Sequence, residues 1–218
     1  MILIPVKNQH AAKQRLALVL NPGERFLLAQ AMLEDVLESV AEVSGRPPVA
    51  LVTGDPHAQK LAARFGCEVI EDRDERGETA AIEMATRSLA QRHAAWALVI
   101  PGDAPLTTAQ DVEAVLAAAP AAGCVLVPDA KGRGTNAALR RPPQLFPLRF
   151  GDDSFLPHLR AAVASGAGCV VRHLPRLALD VDSPADLRAL AVAPGRTRAQ
   201  ELLRLWRVAA RLRELELS

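Results

Sequence analysis

The sequence predicts a single α/β domain whose mostly parallel central sheet is flanked by helices. Two observations carry the prediction. Short apolar runs alternate with longer amphipathic ones, the pattern of repeated right-handed strand–helix–strand units with helices on both sheet faces. In addition, MILIPV (1–6), PVALVT (48–53) and WALVIP (96–101) are almost wholly apolar, as strands buried on both faces of a parallel sheet must be. A chain of 218 residues, 50% of them hydrophobic, is long enough for one domain with a sizeable core.

The elements follow in order. CEVIE (67–71), CVLVPD (124–129) and CVVRHLP (169–175) complete the set of expected strands. The helix over 21–43 opens on Asn21 as cap, with Pro22 at its first position and Glu24 in its first turn. The next opens on Asp55 and Pro56 and stops at Gly66. The same period predicts helices over 79–93, 107–119 and 182–191, and one beginning near Ser154. Residues 131–155 are rich in Gly, Pro and Arg and break the alternation, so they are expected to form a hairpin or loop over the mouth of the sheet. The domain is expected to span 1–195. Residues 196–218 read as an amphipathic helix with Leu202, Trp206, Ala209 and Leu212 along one side, packed on the domain or on a second subunit.

Composition excludes several classes. Net charge is +1 and basic residues are scattered, with one local group at Arg204, Arg207, Arg211 and Arg213. Five Phe, two Trp and no Tyr leave no base-stacking platform, so nucleic acid is not an expected partner. Cys67, Cys124 and Cys169 are far apart and odd in number, which suits reduced core residues rather than disulfides or zinc. The opening MILIPVKN reaches a lysine after six residues, too short for a signal peptide or membrane span, and the expected location is the cytoplasm.

Ligands of open α/β sheets bind beyond the carboxyl ends of the strands, so the residues there are the candidates. Lys7, Lys13 and Arg15 follow the first strand and suit a polyphosphate, whose charge they would neutralise; a solvated loop is an equal reading. Neither GxxxxGK[ST] nor GxGxxG occurs. Thr53 follows the second strand, beside an Asp55 already explained as a helix cap. Asp103, in PGDAPL, is a lone carboxylate at the end of a buried strand and suits Mg²⁺, which takes few protein ligands. In LALDVDSPADL, Asp180 and Asp182 point the same way in an extended chain; Asp182 also stands where it could cap the helix from Pro184. Two acidic points and a basic loop suit phosphoryl or nucleotidyl transfer. A Ser/His/Asp hydrolase is disfavoured, since GxSxG is absent and His10, His57, His93, His158 and His173 are scattered and read as structural or surface residues. Gly134, Thr135 and Asn136, with Gly151 and Ser154, offer small side chains and free N–H groups. The helix start at Ser154 makes them a credible phosphate pocket for a small second substrate.

Taken together, IPVK with AKQRLA, ERFLLAQAMLEDVL, PGDAPL, VPDAKGRGTNAAL, FGDDSF..H and LALDVDSPADL resemble the CofC/FbiD-type guanylyltransferases of coenzyme F-420 biosynthesis, in the family's order over residues 2–191. The resemblance implies a Rossmann-like, GT-A/MobA-like nucleotidyltransferase fold and Mg²⁺-dependent transfer of GMP from GTP to 2-phospho-L-lactate, phosphoenolpyruvate or 3-phospho-D-glycerate. It implies metal-holding carboxylates at Asp103 and Asp180, with Asp182 beside them, and phospho-acid contacts at Thr135, Gly151 and Ser154. It implies nucleotide contacts at Pro5, Lys7, Lys13, Arg15, Thr53, Gly77, Thr79 and Gly102, a homodimer, and a product passed to the next transferase of the pathway.

Two positions depart from the family pattern. Glu78 and Thr79 stand where Leu-Asn is common, and Asp153 stands where a second glycine is frequent. The second departure leans the reading of the acceptor towards 3-phospho-D-glycerate. Because a phosphate nucleophile is already ionised, no catalytic histidine is required. Rival readings are guanylyl transfer to molybdopterin, disfavoured by the missing LAGG loop, cytidylyl transfer to a sugar phosphate, and a non-catalytic nucleotide sensor.

Overall fold

The computed structural model describes residues 1–7, 13–73 and 76–217; His10 lies outside them. The apolar run at the start becomes β1 (Ile2–Pro5), with Ile2, Leu3 and Ile4 wholly buried because helices cover both faces of the sheet. Among the described residues one sheet also contains β2 (Val49–Thr53), β3 (Glu68–Glu71), β4 (Ala97–Val99), β5 (Gly123–Pro128), β6 (Thr135–Arg141) and β7 (Gly168–Val171). Their order is β3-β2-β1-β4-β6-β5-β7. Every pairing is parallel except those of β6, which runs antiparallel between β4 and β5.

The helix starts are where the caps were read. In α1 (Pro22–Ala41) Asn21 and Glu24 close a reciprocal capping box. In α2 (Pro56–Phe65) Asp55 accepts from the N–H groups of His57 and Ala58, and Gly66 ends the helix at φ 67°. Next come α3 (Glu78–Gln91), α4 (Ala109–Ala117) with Thr108 as cap, and α5 (Phe155–Ala164). Helix α6 (Pro184–Val192) is capped by Ser183, which shares a box with Asp186, so Asp182 does not cap it and its carboxylate is left for other work. Apolar residues of α1, α2 and α4 fill the core on one face of the sheet, and those of α3 and α5 fill the other.

Two expectations are corrected. The segment 131–155 is not only a loop over the sheet, since β6 inserts into the sheet's interior. Its apolar centre, Ala137–Ala138–Leu139, is wholly buried, but the flanking glycines, arginines and prolines hide so short a run from a pattern reading. Arg140 is buried at 0% exposure within β6, held by Glu83, Thr86 and the carbonyl of Phe146. The tail, read as one helix, is two: α7 (Arg198–Leu205) and α8 (Val208–Leu217), broken at Arg207, whose φ is 52°. The break moves the buried stripe to Ala199, Leu203, Val208 and Leu212, which join Leu16, Leu20 and Leu28 in a third core. Asp35 of α1 accepts from the N–H groups of Arg198 and Ala199, satisfying the start of α7.

Candidate active site

Chain segments far apart in sequence meet at the carboxyl edge of β1 and β4. Beyond β4 the chain turns at Gly102, where a Cβ would lie 3.2 Å from Leu33 Cδ1 and 3.4 Å from Ile4 Cγ2, so any side chain there would have to push these core side chains aside. The carbonyl of the next residue, Asp103, accepts from the N–H of Val181 at 3.1 Å. Val181 turns its side chain into the apolar core, so its neighbours Asp180 and Asp182 are carried to the opposite side of the extended segment.

Lys13 closes the cluster. Its Nζ donates to Asp103 Oδ2 at 2.5 Å and to Asp182 Oδ1 at 2.7 Å, and its side chain is only 7% exposed. The backbone at Lys13 is left-handed, φ 58°, a conformation costing a non-glycine residue on the order of 1 kcal/mol. Burial works against the ammonium, but Asp103 and Asp182 outweigh it and hold Lys13 above the ordinary lysine range. Asp182 is pushed up by burial and pulled down further by Lys13, with Arg15 and Lys7 beyond, to a net value below the carboxylate range. Asp180 is raised, first by burial and then by Asp103, against a hydrogen bond of 3.0 Å from Asn136 Nδ2.

Two cavities open on this cluster. The first, about 450 Å³, is lined by Pro5, Lys7, Lys13, Gly77, Gly102 and Asp103, among others. The second, about 380 Å³, is lined by Arg15, Thr135, Gly151, Ser154, Asp180 and Asp182, among others. Lys7, Glu78, Pro101, Asp103 and Asp182 line both. Thus the structure brings together Pro5, Lys7, Lys13, Gly77, Gly102, Asp103, Asp180 and Asp182 with Thr135, Gly151 and Ser154.

Three expected nucleotide residues are placed differently. Thr53 is wholly buried and its Oγ1 accepts from the N–H of Asp55. Thr79 Oγ1 accepts from the N–H of Phe150, and neither threonine lines either cavity. Arg15 lines the second cavity rather than the first, 3.5 Å from Asp152 at the rim. Both threonine hydroxyls already accept from a backbone N–H, Thr53 from one two residues on and Thr79 from one 71 residues away, and the second of these the sequence does not reveal. Ser154 likewise makes no side-chain cap to α5; its Oγ accepts from the N–H of Thr135 at 2.9 Å.

Sequence reasoning missed Asn136 as the partner of Asp180, and His158. In the sequence Glu78 stands out only as a departure from the family pattern. Glu78 Oε2 lies 3.4 Å from Lys7 Nζ; burial raises this carboxyl, Lys7 resists, and Asp103 and Asp182 raise it further. Acidic groups facing five basic side chains, Lys7, Lys13, Arg15, Lys131 and Arg133, across two joined cavities can bind and orient anions that carry their own cation.

The family model described as "Guanylyl transferase CofC like" matches residues 1–215. The chain belongs to this guanylyl transferase family. Members of the family are nucleotidyltransferases, and this chain is an enzyme of that class. It is 35% identical over 190 residues to the phosphoenolpyruvate guanylyltransferase of Conexibacter woesei, covering 86% of this chain and 85% of that one. It is 35% identical over 202 residues to the 2-phospho-L-lactate guanylyltransferase of Methanothermobacter thermautotrophicus, covering 93% and 88%. The 3-phospho-D-glycerate guanylyltransferase of Phenylobacterium zucineum is 33% identical over 205 residues, covering 92% and 94%. The fold is shared with a solved protein of Desulfovibrio desulfuricans G20 at TM-score 0.78 and 19% identity, covering 98% of this chain and 96% of that one. It is also shared with CMP:2-keto-3-deoxy-manno-octonic acid synthetase complexed with CTP, at TM-score 0.59 and 16% identity, covering 87% and 95%. Among the described residues no helix is long and apolar enough to cross a membrane.

Proposed function

We propose that this guanylyl transferase moves GMP from GTP to a small phosphorylated acid, releasing pyrophosphate, in coenzyme F-420 biosynthesis. The carrying observation is the junction of the two cavities: Lys7, Glu78, Asp103 and Asp182 belong to both, so a triphosphate in the first would meet a phosphate in the second over the same charged groups. Phosphoenolpyruvate is placed first among the acceptors, because relatives in Conexibacter woesei and Chloroflexus aggregans bear that name. The Asp153 departure favoured 3-phospho-D-glycerate, but Asp153 is an exposed residue lying 3.6 Å from Arg133, which supplies its partner without the acid. A homodimer in the cytoplasm, handing its product to the next transferase, is part of the same reading.

Among the described residues no three His, Cys, Asp or Glu side chains form a ready-made metal cage. Lys13 Nζ engages one oxygen of Asp103 and one of Asp182, and Asn136 one of Asp180, so Mg²⁺ would be held by the carboxylate oxygens these contacts leave open, which suits an ion that keeps water and phosphate oxygens in most of its positions. When bound there, Mg²⁺ would offset phosphate charge and orient the two reactants. The chain's own residues do the rest. Lys7 and Lys13 neutralise the triphosphate, Thr135, Gly151 and Ser154 hold the acid's phosphate, and the joined cavities align its oxygen with the α-phosphorus. That oxygen forms the new P–O bond as the bond to the β-phosphate oxygen breaks and pyrophosphate leaves with the electron pair. Positioning and charge stabilisation supply the acceleration, with no general base.

The test is pyrophosphate release from GTP and Mg²⁺ with each of the three acids in parallel. Release with one of them supports the reading and selects the acceptor. No release with any, from folded protein that binds GTP, rejects it in favour of a nucleotide sensor or another acceptor.

A further inference from the structure

We propose that His158, which lines neither cavity, is a positioning residue that makes the Thr135 hydroxyl an obligatory donor to the acceptor's phosphoryl group. The inference rests on the second cavity being the phospho-acid pocket. Three consecutive backbone N–H groups are each held by a side chain: Leu148 by Glu83 Oε1 at 2.9 Å, Arg149 by His158 Nε2 at 2.7 Å and Phe150 by Thr79 Oγ1 at 2.9 Å. This strap delivers Gly151, whose φ of 146° only glycine adopts without strain, to the cavity.

The middle bond decides a tautomer. A backbone N–H can only donate, so Nε2 of His158 is the bare acceptor nitrogen and the single ring proton of the neutral imidazole sits on Nδ1. That Nδ1 lies 2.9 Å from Thr135 Oγ1, which must therefore accept. A hydroxyl that accepts from one side turns its own proton elsewhere, and Thr135 lines the second cavity. Ser154 repeats the arrangement: its Oγ accepts from the N–H of Thr135, and its proton is free for the same cavity. Two hydroxyls whose polarity the protein has set give a pocket that offers donors to an anion. The imidazole is 1% exposed and packs edge-on against Phe150; burial, with Arg140 beyond, pushes it down to about 4, so it stays neutral at physiological pH and the Arg149 bond alone sets the tautomer.

Two substitutions divide the two bonds. His158→Asn can keep a donor near the Nδ1 position and gives up the Arg149 bond. His158→Gln can keep an acceptor near Nε2 and gives up the donor to Thr135. The expected result is a rise of tenfold or more in KM for the acid in His158→Gln, an unchanged KM for GTP, and substantial recovery in His158→Asn. Thr135→Val should show the same acid-specific loss, and adding His158→Gln to it should cost nothing further. Independent, multiplying losses in that double variant, or equal losses for acid and GTP, would assign His158 a merely structural role. Long-range ¹H–¹⁵N spectra of the unliganded wild type read the tautomer directly: an Nε2–H ring overturns the inference whatever the activity. No turnover of any of the three acids by a wild type with the Nδ1–H ring rejects the proposed function itself, and the donor role of Thr135 towards the acid with it.

Discussion

Lys13 Nζ and Asp103 Oδ2 lie 2.5 Å apart although 90 residues separate them in the chain. This contact joins the basic loop after β1 to the acidic turn after β4. It also places a buried positive charge where a triphosphate and its cation would arrive.

Asp103→Asn should lose turnover by at least about a hundredfold, the scale of removing one well-placed charge-stabilising group. The fold should survive, since the Asp103 side chain is 31% exposed and Lys13 keeps Asp182. Pyrophosphate release with a thermal melt checks both halves; an active, well-folded Asp103→Asn protein would refute the assignment.

Lys13→Met leaves Asp103 and Asp182 facing each other without their shared cation. With both carboxylates partly exposed, the expected cost at pH 7 is about 1–2 kcal/mol. Asp182 is depressed in the folded chain, so its contribution is present above the unfolded value of 3.8 and is lost as pH falls below it. The gap between wild type and variant in urea melts should therefore narrow in acid; a gap independent of pH would place the cost elsewhere.

His158 carries the opposite proton preference from a solvated histidine. Its folded value, about 4, lies below its unfolded value of 6.5, so the folded chain resists a proton that the unfolded chain accepts. Its contribution is whole above pH 6.5 and is lost as pH falls towards 4. Urea midpoints measured from pH 7 to 4.5 should decline more steeply for wild type than for His158→Gln, and parallel curves would contradict the shift.

Leu203 of α7 shares its core cluster with Leu16 and Leu20, which follow Lys13 and Arg15 in the chain. Arg211 reinforces the join by donating to the carbonyl of Val19 at 3.2 Å and to both oxygens of Glu24. Leu203→Ala should cost about 2–4 kcal/mol through the cavity it leaves. It should also raise KM for GTP, because the cluster that supports the basic loop is loosened. A destabilised protein with unchanged GTP kinetics would show that the tail supports the fold alone.

Much of this molecule was legible in its sequence because the signals are local. Buried parallel strands need unbroken apolar runs, and helix starts need an acceptor for free N–H groups, so β1, β2, β4, Asn21 and Asp55 could be read from neighbours in the chain. Asp103, Asp180 and the basic loop stood out because charge at the end of an apolar strand needs a partner. The family pattern added the order of the motifs.

Tertiary structure alone decided the rest. The place of β6 inside the sheet depends on what covers Ala137–Leu139 and on Glu83 and Thr86 reaching Arg140. The break at Arg207 depends on which residues of the tail meet α1 and α6. Which hydroxyls border a cavity was equally hidden: Thr53 and Thr79 stand outside both, while Thr135 and Ser154 line the second. Apolar periodicity and capping are properties of a few adjacent residues. The direction of a hydrogen bond is a property of two groups that only folding brings together.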